Sequence, residues 1–165
     1  MLRRSASVIL LVEAAAQLAG RREFGTYDFI TPAEIPGSNA PPGNSLSRYL
    51  SAPDQPELLE PLFLLAEGFR IHRRLSGAYR GLAEDGRWVG SQLVQRWRGE
   101  RAVGQARVLD SLFAFLLAGA DPDDCPSWLP GRVAALVVAA VVPLAGAEAT
   151  VQDSVRVAHE LATVL

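Results

Sequence analysis

Placed 100° apart on a helical wheel, the apolar residues of the first segment gather on one side. Val8, Leu11, Val12, Ala15, Leu18 and Ala19 share a face, with Glu13 and Gln17 opposite. Ser5 or Ser7 suits the start of this helix, because a hydroxyl can accept from its first amides, and Gly20 suits its end. The pattern then breaks. Residues 21–52 hold Pro32, Pro36, Pro41 and Pro42 with Gly25, Gly37 and Gly43, and no period is sustained. Thr31-Pro32-Ala33-Glu34 has capping-box spacing and starts at most one turn, while Ser45 to Leu50 suits a short helix. So long an irregular stretch is uncommon in a compact domain. Phe24, Tyr27, Phe29 and Ile30 give it an aromatic-rich apolar cluster that a disordered linker would lack. An ordered arm is expected, with these four residues as its partner-binding candidates.

Asp54 caps the next expected helix, which begins near Pro56 with Glu57 at the electropositive first turn. Leu58, Leu62, Leu65 and Phe69 form its apolar face, and Glu57, Glu60 and Glu67 follow a solvated edge. After Gly68 the apolar face rotates by roughly 140° to Ile71, Leu75, Tyr79 and Leu82. One straight helix against one partner cannot satisfy both halves. Either the chain kinks at Gly68 or a long helix meets two partners. Glu84-Asp85-Gly86 suits a turn before helices at 88–98 and 101–118. In these, Val89, Leu93, Val94 and Trp97 share one face, and Ala102, Ala106, Leu109, Phe113, Leu116 and Leu117 another. A second change of face thus falls near Gly99.

Gly119 stops that helix and Pro122 prevents its resumption. The acidic, Pro-rich stretch from Asp121 to Pro130 is a connection, and Pro130 suits the first turn of a helix over 131–142. Half of Val133–Val142 is Val, which would suit a strand, but its four Ala and helical neighbours favour a helix. Being apolar all round, that helix is expected to be buried on every side. Thr150 caps a last amphipathic helix with Val151, Val155, Ala158, Leu161, Ala162 and Leu165 inward, and Gln152, Arg156, His159 and Thr163 outward. The expected fold is all-α: one domain over 1–165, a bundle of about six or seven helices with a long irregular arm at 21–52.

The chain is 165 residues long, and its 18 acidic and 16 basic residues leave a net charge of −2. Every basic residue is Arg; there is no Lys. A composition rich in Arg, Leu, Ala, Gly and Pro is what GC-rich codons produce. The missing amine excludes a Walker A phosphate loop, a Schiff-base lysine, a kinase ATP-site lysine and a Ser-x-x-Lys acyl-enzyme. Two His and one Cys leave no His/Cys zinc site and no intramolecular disulfide. No cofactor or metal is expected. Met1-Leu2-Arg3-Arg4 before an apolar run resembles a secretory signal, but Glu13 interrupts it too early, so an amphipathic helix in a cytoplasmic protein is expected. The run Val133–Val142 is too short for a transmembrane segment, which needs about 18 residues.

Little catalytic chemistry stands out. Asp121-Pro122-Asp123-Asp124-Cys125 lacks the central Gly and the distal Glu of a calcium loop, and reads as capping and turn. Asp123 and Asp124 would raise the pKa of Cys125. His72 falls at the edge of an apolar face as a partly buried hydrogen-bonding residue. No catalytic residue is assigned. The arginines are more informative. Between residues 70 and 107 the local charge is near +6. Arg70, Arg73, Arg74 and Arg80 gather on one helix side, and Arg96, Arg98 and Arg101 follow, with Trp88 and Trp97 among them. These seven arginines are phosphate or nucleic-acid candidates, or else the solvated faces of a bundle. Gly77-x3-Gly81 and Gly86-x3-Gly90 would let helices approach closely. Three functional expectations follow. The first is a non-catalytic interaction or assembly module with a protein partner or a second copy. The second is a nucleic-acid-binding small subunit using 70–107. The third is a bundle that binds a small apolar ligand.

Overall fold

The structure, a computed structural model, describes residues 15–16, 18–26, 45–50, 52, 55–97, 105–120, 125 and 130–163. These residues are helical with connecting turns, and no strand occurs among them. A helical segment at 18–23 is followed by α1 (Ser45–Leu50), α2 (Leu59–Ala78), α3 (Arg80–Trp97) and α4 (Gln105–Ala118). Then come α5 (Gly131–Val141), a 3-10 turn (Val142–Ala145) and α6 (Val151–Ala162). The segment 133–142 is therefore helix, not strand, and Ser45–Leu50 is the short helix its pattern suggests.

α2 starts later than expected, at Leu59, after a turn closed by the Leu59 N–H on the Pro56 carbonyl at 2.9 Å. Pro61 explains the shift. A helix begun at Pro56 would place Pro61 in its interior, where the missing N–H and the ring would break it. From Leu59, Pro61 falls in the first turn, where no donor is needed. Asp54, the expected cap, lies outside the described residues.

Gly68 does not kink the chain. α2 runs unbroken through it, and the helix meets two partners. Leu59, Leu62, Phe63 and Ala66 enter the main core with Leu112 and Phe115 of α4, Val137 and Val141 of α5, and Val155, Ala158 and Leu161 of α6. Ile71 and Leu75 instead receive the first helical segment, whose Gly20 lies so close that a Cβ there would sit 2.7 Å from Ile71 Cγ2. Gly20 thus serves contact, not termination; the helix continues to Glu23 and turns at Gly25, with φ 71°.

The expected turn at Glu84-Asp85-Gly86 is absent, because those residues lie inside α3. The break comes at Tyr79, which is extended at φ −127°, ψ 91°. Gly77 and Gly81 flank it in open space, so this pair weakens the helix on both sides without bringing any element close. Gly86 and Gly90 do the reverse. A Cβ at Gly86 would strike the His72 ring at 2.7 Å, and one at Gly90 would lie 2.5 Å from the Ala118 backbone nitrogen. α3 and α4 cross there backbone to backbone.

α4 ends as expected. Gly119, at φ 110°, donates to Leu116, and Ala120 donates to Phe115 at 3.0 Å, the paired bonds of a Schellman stop. The face change expected at Gly99 lies outside the described residues. Thr150 and Asp153 form the capping box that opens α6.

Candidate functional site

Two charged residues in the middle of α2 are fully buried, Glu67 and Arg70. One helical turn apart, they pair at 2.6 Å. The Glu67 carboxylate also accepts from the Thr26 hydroxyl, which follows the first helical segment, and from Ser154 Oγ of α6 at 2.7 Å. Arg70 donates outward to the Ala149 carbonyl at 3.1 Å and the Phe24 carbonyl at 3.0 Å. Arg74, one turn on, donates to the carbonyls of Ala147 and Ala149, and its guanidinium lies 5.5 Å from the Phe24 ring centre. This cluster fastens the start of the arm, the turn before α6, and α6 itself to α2. Burial raises the Glu67 pKa, but the bonds from Arg70, Thr26 and Ser154 and the Arg70 charge outweigh it and hold the carboxyl below its ordinary 4.5. It is a saturated cross-link.

Glu67 therefore does not follow a solvated edge, and Arg70 does not belong to a phosphate-facing surface. Both corrections have one cause. On the wheel Glu67 lies about 40° from Ile71, so the partner that covers Ile71 and Leu75 also covers Glu67 and Arg70. Of the other arginine candidates, Arg73, Arg80 and Arg96 are exposed and Arg74 is half-buried. Arg98 and Arg101 lie outside the described residues. Among the arm candidates, Phe24 is half-buried beside Arg74, while Tyr27, Phe29 and Ile30 lie outside the described residues.

The far end of the arm is also fastened, at α1. The Tyr49 hydroxyl and His159 Nε2 of α6 lie 2.8 Å apart, with the rings edge to face. His159 is half-buried by this contact, not simply outward-facing as its position on α6 suggested. His72 is buried beside Gly86 and hydrogen-bonded to Ser76 at 3.2 Å. Burial pushes the Cys125 thiol above its ordinary pKa, which disfavours the nucleophilic thiolate. Among the described residues no group of three His, Cys, Asp or Glu could hold a metal ion, and no helix is long and apolar enough to cross a membrane.

α5 departs most from expectation. Ala134, Val137, Val141 and, in the following turn, Leu144 are buried, but the opposite face is open. Ala135, Leu136, Ala139, Val142 and Pro143 are all exposed, Val142 to 57%. Burial on every side is thus corrected to burial on one side. No large side chain of α2, α4 or α6 reaches round to the outer face, because α5 lies at the edge of the bundle with the main core on one flank only. Arg132 is exposed at the beginning of this face and Glu148 just past its end. Apolar surface in register at i, i+3 and i+6 is what a helix offers another helix.

No protein-family model matches the chain, and no curated protein or solved structure matches it significantly.

Proposed function

We propose that the chain is a non-catalytic, all-α interaction module that works as a subunit of a larger protein assembly. The observation that carries this reading is the outer face of α5: an eleven-residue helix, apolar on both sides, with core on only one of them. Exposed contiguous apolar surface favours a partner, because covering it removes that surface from water at about 25 cal/mol per Å². The arm adds to the case. It leaves the core at Thr26 and returns at Tyr49, and both ends are held by side-chain bonds to α2 or α6. Tyr27 and Phe29 lie between those two anchors. Nucleic-acid binding through Arg73, Arg80 and Arg96 is the weaker reading, since Arg70 and Arg74 spend donors inside the protein.

The test is the native mass of the purified full chain by light scattering, with identification of anything bound in fixed stoichiometry. The expected result is a species larger than one 17.7 kDa chain, weakened by Tyr27→Ala with Phe29→Ala. A single chain carrying no partner at any concentration defeats the reading.

A further inference from the structure

We propose that the outer face of α5 is a docking surface for a second copy of this chain, packed antiparallel about Ala139. The proposal rests on the interaction-module reading and names its partner. The face is close to palindromic. Leu136 stands three residues before Ala139 and Val142 three after, while Ala135 and Pro143 stand four before and four after. All five are exposed. A two-fold axis through Ala139 sets the Leu136 of each copy against the Val142 of the other, with the small Ala139 pair letting the helix axes come near. A parallel partner would set Leu136 against Leu136 and leave no small residue opposite a large one.

Charge supports the same orientation. Arg132 and Glu148 are exposed at the two ends of the face. They lie roughly 10 and 13 Å along the axis from Ala139, at 1.5 Å per α-helical and 2.0 Å per 3-10 residue. Antiparallel packing brings Arg132 of each copy to Glu148 of the other, twice per dimer. Parallel packing places like charges together at both ends, which is unfavourable. A face of one short helix is at the small end of specific interfaces, so dissociation in the micromolar range is expected.

The experiment is sedimentation equilibrium on the full chain over a concentration series. The set comprises the wild type, Leu136→Glu, Arg132→Glu, Glu148→Arg and the Arg132→Glu/Glu148→Arg pair. Circular dichroism checks that each is folded. The wild type is expected to dimerise, and Leu136→Glu to weaken the dimer at least about 50-fold. Each charge reversal is expected to weaken it about three- to ten-fold, and the pair to restore it within about two-fold. A dimer indifferent to Leu136→Glu overturns the surface while leaving the interaction-module reading intact. Single reversals that weaken without rescue by the pair overturn the antiparallel register. A wild type monomeric throughout overturns self-docking; if it also carries no other partner, the module reading falls with it.

Discussion

Two acid-x-x-Arg pairs sit one turn apart on two different helices, and they have almost nothing else in common. Glu67 and Arg70 on α2 are fully buried and 2.6 Å apart. Asp153 and Arg156 on α6 are 2.8 Å apart, with the arginine 60% exposed. The spacing and the distance are nearly the same, yet the environments assign them opposite tasks. Water and salt screen the α6 pair, and either partner is readily resolvated when the other leaves. No solvent reaches the α2 pair, so each charge depends on the other and on neighbours from three further segments. An ion pair takes its value from what surrounds it.

The largest expected difference lies in removing a buried charge. Arg70→Met leaves the Glu67 carboxylate uncompensated and takes the donors from the Phe24 and Ala149 carbonyls. A loss of about 3–5 kcal/mol in urea unfolding is expected. Such a pair can often be replaced by two apolar residues at little cost, but here Glu67→Leu/Arg70→Met should stay clearly destabilised. The two carbonyls and the hydroxyls of Thr26 and Ser154 would still be orphaned in the core. A double variant as stable as the wild type would show that the cross-link contributes nothing.

The second difference is in pH. The Glu67 carboxyl is held below its ordinary 4.5 by the bonds from Arg70, Thr26 and Ser154, which outweigh burial. Its folded pKa lies under the unfolded one, so its contribution is full above about pH 4.5 and is lost as pH falls through the folded value. Glu67→Gln, which resembles the protonated acid, should therefore cost about 3 kcal/mol near neutrality. That gap from the wild type should narrow as the medium is acidified below pH 4.5. Melting temperatures of the two proteins measured from pH 7 to pH 3 decide it. A gap that stays constant would mean that Glu67 is already protonated when folded.

The same contrast marks what was legible from residue order. Where a feature is local, pattern located it: Thr150 at the head of α6, Gly119 at the end of α4, the change of apolar face at Gly68. The two glycine pairs had identical spacing and could not be ranked, because only the fold decides that Gly90 meets the α4 backbone while Gly77 faces open space. Glu67 was misread for a similar reason. Its hydroxyl partners lie 41 and 87 residues away, and nothing nearby in sequence announces them. The signal that could have found it was its closeness on the wheel to Ile71. α5 erred in the other direction. An apolar surface shows that burial is favoured without showing which protein provides it, and here the chain itself covers only one side.

The smaller effects belong to α6, where they separate a cap from an ion pair. Asp153 accepts from the Thr150 backbone N–H and hydroxyl, both at 2.9 Å, and from Arg156. Its pKa is lowered chiefly by the Thr150 backbone bond and next by Arg156, against a small opposing effect of burial. Asp153→Ala opens the cap and is expected to cost about 1 kcal/mol. Arg156→Ala removes only the screened pair, along with a weaker contact to Glu160 at 3.7 Å, and is expected to cost about 0.3 kcal/mol. Salt gives the sharper distinction. The Arg156→Ala difference should vanish in molar salt, where the Debye length is about 3 Å. The Asp153→Ala difference should largely persist, because a donor in direct contact with its acceptor leaves no room for counter-ions between them. If both differences vanished together, Asp153 would be acting through its charge alone, and the hydrogen-bonded cap would be energetically idle.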